Sequence, residues 1–311
     1  MDLFSIGEMV IDFIPGTEPG SYIRNAGGAP ANVAIAVARN GLSAGFCGRV
    51  GDDDFGLFLT ATLRENNVKI LCNELTNKAI TTMAFVTLDK NGERSFTFAR
   101  KPGADMFLEQ SDILIMDIEN STIIHAGSCS LSKEPIASTV PFVLKQGHNK
   151  GKLISFDVNY RNLIWDNNIQ NAEAKLFEIL PYVDLLKISE EEAAMVGGES
   201  NISCLMRDYH ITLVVETLGA KGAKCFWNSD CLFSPPWGDI VVDTTGAGDA
   251  FWGGFLSKLI LDGVDKPEKL NKTIISDAMR FGNVAGGLCV QKKGAVSSLP
   301  VRKDIERYLS M

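Results

Sequence analysis

Along the chain, short runs that are almost wholly apolar alternate with longer stretches whose apolar positions recur at helical spacing. "LFSIGEMVIDFIP" reads as a strand ending in a turn, and "PANVAIAVARNGL" as a helix with Pro30 in its first turn and Gly41 just past its end. "GFCGRVG" reads as a buried strand and "DDFGLFLTATLRENNV" as a second helix. The alternation resumes later through "TIIHAGSCSL", "LISFDVNYR", "VDLLKIS", "ITLVVETLG" and "KCFW", several of them separated by helical segments. This pattern predicts an α/β fold with a mostly parallel central sheet and helices on both faces.

Between about residues 70 and 107 the pattern changes. "ITTMAFVTLDKNGERSFTFAR" holds two β-rich runs separated by "DKNGE", whose Asn91-Gly92 pair is a hairpin signal. The expectation is a small antiparallel lid, built from about 10–25 and 70–107, on a single α/β domain spanning 1–311. No internal repeat or low-complexity linker divides the chain. In an open α/β sheet ligands gather beyond the carboxyl ends of the strands. Asp12, Asp157, Asn159 and Thr217 each follow a predicted strand, so topology predicts that they cluster.

Composition narrows the function. The chain has 311 residues, 45% hydrophobic and 22% charged, with a net charge of -8 and no basic run, which argues against a nucleic-acid partner. A small anionic ligand stays compatible with that balance, because it needs only local positive potential. The seven cysteines form no CxxC pair and read as buried reduced thiols, and His125, His148 and His210 have no zinc-ligand spacing. The N-terminus carries Asp2, Glu8 and Asp12 without the basic flank of a signal peptide, and no window reaches the ~18 apolar residues of a membrane span, so a cytoplasmic location is expected.

"VVDTTGAGDAF" raises the chemical question. Gly246 and Gly248 let the backbone bend and approach a ligand, and the first helical amides, around Ala247, Gly248 and Asp249, suit a phosphate or a developing oxyanion. Taken locally, Asp249 can equally be an N-terminal cap favoured by the same dipole. Neither GxxxxGK[ST] nor GxGxxG is present, since Phe251 stands where the third glycine of the latter belongs.

A second stretch, "NAGGAPANVAIAVARNG" followed by "GRVGDDDFG", changes the weighing. With "VVDTTGAGDAF" it resembles the paired signatures of the ribokinase-like (phosphofructokinase-B type) carbohydrate kinases, and most closely their fructokinase-type members. The likeness runs nearly the whole length, through "GEMVIDFIP", "FARKPGADMFL", "HAGSCSLSKEP", "FDVNYRNLIW", "LKISEEE", "TLGAKG" and "KKGAVSSLP". It implies a ribokinase-like fold and transfer of the ATP γ-phosphoryl group to a sugar hydroxyl, D-fructose to fructose 6-phosphate, with 2-keto-3-deoxygluconate or a riboside as alternative acceptors. A silent sugar-binding regulator on this fold would be expected to lose the base or the glycines, which this chain retains.

The resemblance also implies roles. Asp249 becomes the base, with Gly246, Ala247 and Gly248 as the anion hole, and Asp12, Gly28 and Asn32 bind sugar hydroxyls. Arg100 matches an arginine brought from the lid side, the alternative being a solvated charge on an edge strand. Arg161, Lys187, Thr217, Gly219, Gly222 and Gly248 fall on the nucleotide side, as does Asn283, which could instead bond only local backbone. Ser189 replaces the asparagine of an NxxE motif that organises Mg2+. Glu192 is then the acidic member, although Glu190 and Glu191 adjoin it and a solvated helix start is the other reading. Asp243, Thr245, Gly294 and Ser298 match a K+ site built largely from carbonyls. The lid could pair two subunits as a homodimer or simply close over the sugar.

Overall fold

The computed structural model describes residues 1–18, 20–88 and 94–310; the Asn91-Gly92 turn lies outside the described residues. Strands that are apolar at every position must be covered on both faces, because successive side chains point to opposite sides. Leu3, Leu153, Leu185 and Leu213 enter one core, while their neighbours Phe4, Ile154, Leu186 and Val214 enter the other. The nine-stranded sheet runs in the spatial order Asp230–Ser234, Ala223–Trp227, Leu213–Thr217, Leu185–Ser189, Leu153–Asp157, Ile123–Gly127, Leu3–Ile6, Ala44–Cys47 and Lys69–Ile70. Pairing is parallel from Leu213–Thr217 to Lys69–Ile70 and antiparallel at the Asp230 end. Register places Gly127, Asp157 and Lys187 side by side at the carboxyl edge.

"LFSIGEMVIDFIP", expected as one strand, is two. Leu3–Ile6 belongs to the central sheet and Val10–Pro15 to a separate four-stranded sheet. Gly7 donates its amide to Cys47 O at 3.1 Å, and the chain then leaves the sheet through Glu8 and Met9. Both halves are apolar, so periodicity conceals the break. Asp12 therefore sits within a lid strand and not after a central one.

The lid sheet has the order Tyr22–Gly27, Val10–Pro15, Met83–Leu88, Arg94–Ala99. Its outer pairs are antiparallel but Val10–Pro15 pairs with Met83–Leu88 in parallel, so the lid is mixed where an antiparallel one was expected. The reason is topological: the first two strands and the last two are separate hairpin-like units laid edge to edge. Along Val10–Pro15, Val10 and Asp12 line a cavity, while Ile11 joins the core and Phe13 stacks on Phe85 at 5.0 Å and meets Phe55 edge-on at 5.6 Å. Parity alone thus turns the carboxylate toward the cavity and the ring away from it.

Two helices deliver the central polar pair. Ala29–Arg39 packs against Ala247–Leu261 so closely that a Cβ built on Gly253 would lie 2.5 Å from the Ala36 methyl. Trp252 and Phe255 on the latter helix stack at 4.9 Å, and Trp252 Nε1 donates to Ser155 Oγ at 2.9 Å, tying the helix to the sheet. All seven cysteines are free thiols, but the expected burial does not extend to Cys231, which is exposed on the edge strand, or to Cys72 and Cys204, which are half-buried. Among the described residues no helix is long and apolar enough to cross a membrane.

Gly253→Val inserts two methyl groups where not even a Cβ fits. It is expected to cost about 1–3 kcal/mol or more by overpacking, measured by denaturant unfolding.

Candidate active site

The carboxyl ends of the central strands, the lid and the first turn of Ala247–Leu261 enclose a cavity of about 720 Å³, within the size range of small-molecule sites. Asp249 stands at that helix start. Gly246, the residue before the helix, has φ 78°, a left-handed conformation that favours glycine, and Ala295 closes the space where its Cβ would lie. The first helical rung runs from Ala250 N to Gly246 O at 2.8 Å, so the amides of Gly248 and Asp249 precede the ladder. Ala247 N already donates to Thr244 O at 3.2 Å, and Ala247 does not line the cavity, whereas Gly246 and Gly248 do.

The Asp249 carboxylate accepts from Asn32 Nδ2 at 2.7 Å. Asn32 is buried, and its Oδ1 has no hydrogen-bond partner. A satisfied donor on one side and an orphaned acceptor on the other is what a hydroxyl-bearing ligand would complete. Burial pushes the Asp249 pKa up to about 6; Asn32 opposes this, nearby Asp157 adds to it, and Lys187 and Arg161 counter it. Asp12 faces the same cavity and is pushed up to about 7, by burial first and then by the Asp249 charge. Gly28 lines the cavity with φ 104°, and a Cβ there would fall 2.5 Å from Glu8 O.

Arg100 lines the wall and is only 8% exposed, so it is no solvated edge-strand charge. Its Nε donates to Asp105 Oδ2 at 2.9 Å, its Nη2 lies 2.7 Å from the same oxygen, and its Nη1 donates to Ser132 Oγ at 3.0 Å.

On the opposite side Lys187 Nζ grips both oxygens of buried Asp157 at 2.8 and 2.9 Å. Burial works against the ammonium, but Asp157, Glu192 and Asp249 outweigh it and hold its pKa above the ordinary value. A Cβ on Gly248 would lie 3.4 Å from Lys187 Nζ, so the bare glycine leaves this charge beside the helix start. Arg161 and Thr217 also line the cavity. Gly219 and Gly222 form the turn after Leu213–Thr217 and do not line it, and Asn283 donates to Ser234 O, Ser234 Oγ and Pro235 O, outside the cavity.

Of the three adjacent glutamates, Glu192 is buried while Glu190 pairs on the surface with Lys221. Glu192 accepts from Tyr160 N at 2.6 Å and Ser189 N at 2.9 Å, and Ser189 Oγ caps the amide of Glu192 at 3.2 Å. Among the described residues no three His, Cys, Asp or Glu side chains are grouped to hold a metal ion. Mg2+ bound with a nucleotide is commonly held by one or two carboxylates plus phosphates and water, and Glu192 is a buried carboxylate lining the cavity. Asp243, Thr245, Gly294 and Ser298 do come together beside the cavity. Asp243 accepts from Thr245 N, Thr245 Oγ1 and Gly294 N at 2.7–2.9 Å, and Ser298 Oγ donates to Gly294 O and Ala295 O. Hard oxygens dominate this set, as an alkali cation requires.

Glu8, Phe98, Cys129 and Tyr160 line the cavity without having been singled out. Phe98 and Cys129 lie in apolar runs that periodicity assigns to packing. Glu8 carried a usable signal, an acidic residue directly after an apolar strand and a glycine.

The family description "pfkB family carbohydrate kinase" matches residues 1–302. Fructokinase-1 of Oryza sativa subsp. japonica is 37% identical over 316 residues, covering 98% of this chain and 96% of its own. A fructokinase from Xylella fastidiosa with bound ATP superimposes with TM-score 0.92 at 30% identity, covering 99% of this chain and 98% of its own. A Vibrio cholerae fructokinase bound to fructose, ADP and calcium ion gives 0.88 at 35% identity with the same coverage. The chain belongs to the pfkB family of carbohydrate kinases.

Proposed function

We propose that the protein catalyses ATP-dependent phosphorylation of D-fructose to fructose 6-phosphate. One observation carries the chemistry: Asp249, held by Asn32 at 2.7 Å, stands at a helix start and lines, with Gly246 and Gly248, a cavity of about 720 Å³. The substrate is supported by fructokinases at 35–37% identity, one of them bound to fructose and ADP. In this reading the sugar hydroxyl gives its proton to the Asp249 carboxylate while its oxygen bonds the γ-phosphorus. The bond to the leaving oxygen breaks, and ADP departs with that electron pair. The Gly248 and Asp249 amides and Lys187 stabilise the charge on the transferred group. Asp12 and Asn32 orient the hydroxyls.

Magnesium, when bound with the nucleotide, neutralises phosphate charge; Glu192, fixed by two backbone amides, is positioned to order it through water. The Asp243 and Gly294 loops would hold K+ beside the anion hole, where it would support the same backbone. Pairing of two copies through the lid is supported by exposed Tyr22 and Ile23 on its outer strand. Light scattering near twice the 33.8 kDa chain mass would establish it, and the chain mass itself would exclude it.

A panel of sugars, sugar acids and ribosides assayed for ATP-dependent phosphorylation tests the substrate. Fructose is expected to give the highest kcat/KM. Asp249→Asn is expected to lower kcat by about 10²- to 10⁴-fold while leaving the KM for ATP nearly unchanged. Turnover within a few-fold of wild type would remove Asp249 as the base.

The raised carboxylates set the pH response. Asp249 must be ionised to accept a proton, so kcat/KM is expected to fall as pH drops through about 6 to 7, well above the ordinary carboxylate range. For stability the sign is reversed. The folded state keeps these protons to higher pH than the unfolded chain, so folding weakens as pH rises from about 4 to about 7. Asp249→Asn should therefore raise the thermal midpoint at pH 8, with a gain that shrinks toward pH 4.

A further inference from the structure

We propose that Glu8 selects the acceptor, its carboxyl binding a sugar hydroxyl and disfavouring acceptors that carry their own negative charge. The inference rests on the sugar-kinase reading above. Glu8 lies where the chain crosses from the central strand Leu3–Ile6 to the lid strand Val10–Pro15, and it lines the cavity while only 7% exposed. Its carboxyl accepts from Ser130 Oγ at 2.6 Å. A carboxylate has about four acceptor positions, so most of its capacity is left over.

Among the described residues Glu8 forms no salt bridge. Arg100 is close enough to influence its charge but is bound to Asp105 and Ser132. Two of the five N–H groups of Arg100 are therefore hydrogen-bonded, and its Nη2, although 2.7 Å from Asp105 Oδ2 as an ion pair, has no hydrogen-bond partner. At this end of the cavity Glu8 offers spare acceptor capacity and Arg100 a spare donor, so the acid is the group that can receive a hydroxyl proton in a hydrogen bond. Leaving a buried acid with few partners is unfavourable, and sugar hydroxyls can supply the missing donors.

Charge gives the second half of the argument. Burial pushes the Glu8 pKa up to about 7, and Asp105 adds to the rise while Ser130 and Arg100 oppose it. At neutral pH the group is divided between a form that accepts a hydroxyl proton and a form that donates one, and a neutral polyol satisfies both. Arg100 and Asp105 offset one another as an ion pair, so the uncompensated acid that a second carboxylate or a phosphate placed there would meet is Glu8. The backbone fixes the position as well: Glu8 O and Met9 Cα leave no room for a side chain on Gly28, so lid crossover, sugar-side glycine and acid form one packed unit.

The test is steady-state kinetics of wild type, Glu8→Gln and Glu8→Asp with fructose, with 2-keto-3-deoxygluconate, and with fructose analogues each lacking one hydroxyl. Glu8→Gln is expected to raise the fructose KM by about ten- to a hundred-fold, with the KM for ATP within about twofold of wild type. The fructose-to-sugar-acid ratio of kcat/KM should fall at least about tenfold, because the glutamine removes the repulsion as well as the bond. One analogue should bind wild type and variant alike, identifying the hydroxyl that Glu8 contacts. If Glu8→Gln does not fold, Glu8→Asp, which keeps the charge but retracts it, carries the hydroxyl comparison: the fructose KM should rise and the single-hydroxyl analogues should still separate. A fructose KM within about twofold of wild type in the folded variant, or equal losses for every analogue, overturns the assignment. A wild type that phosphorylates no sugar overturns the functional reading instead.

Discussion

The close approach of the helices Ala29–Arg39 and Ala247–Leu261 is the contact on which the site depends. Gly253 against Ala36 removes the side chains that would otherwise separate the two axes. Farther along the same pair, Asn32 reaches Asp249 at 2.7 Å. Widening that contact by even a methyl group would move a hydrogen bond between two rigid elements, and such bonds weaken quickly with distance. Packing inside the core thus sets the orientation of a carboxylate at its edge. Trp252, bonded to Ser155 in the sheet, prevents the helix from relieving the strain by sliding.

That geometry brings together groups that do not favour one another. Asp12, Asp249 and Glu8 share one cavity and all are held protonated to higher pH than free carboxylates. Lys187 and Arg100 are already bound to Asp157 and Asp105, and Arg161, which lines the same cavity, only partly offsets the rise at Asp12 and Asp249. The result is a site with spare acceptors at one end and unbonded helix-start amides beside a fixed positive charge at the other. A neutral polyol and a polyphosphate fit those two halves. The same arrangement costs stability as the carboxylates ionise, a common trade where a binding site is kept ready for its ligand.

The lid adds a wall without adding chemistry of its own beyond Asp12 and the crossover acid. Its strand Val10–Pro15 uses its two faces differently, with Asp12 toward the cavity and Phe13 stacked into an aromatic cluster with Phe85 and Phe55. Because Glu8 occupies the crossover into this strand, movement of the lid relative to the sheet would be felt directly at the acceptor end of the cavity.

Much of this was legible in the chain. The alternation of apolar runs with helical spacing determined the layered α/β fold, since continuous apolar strands cannot be left exposed on either face. "TGAGD" determined a glycine-bent helix start carrying an acid, because those conformations and amides are local properties. Local chemistry could not decide which amides are free: Ala247 N is occupied by Thr244 O, a matter of how the loop folds back. It could not separate Glu190 and Glu191 from Glu192, since burial of one of three identical side chains depends on what Tyr160 and Ser189 bring to it. The break inside "LFSIGEMVIDFIP" and the commitment of Arg100 to Asp105 and Ser132 were likewise decided in three dimensions. Residues distant in sequence compete for the same donors and the same space, and that competition leaves no mark on periodicity or composition.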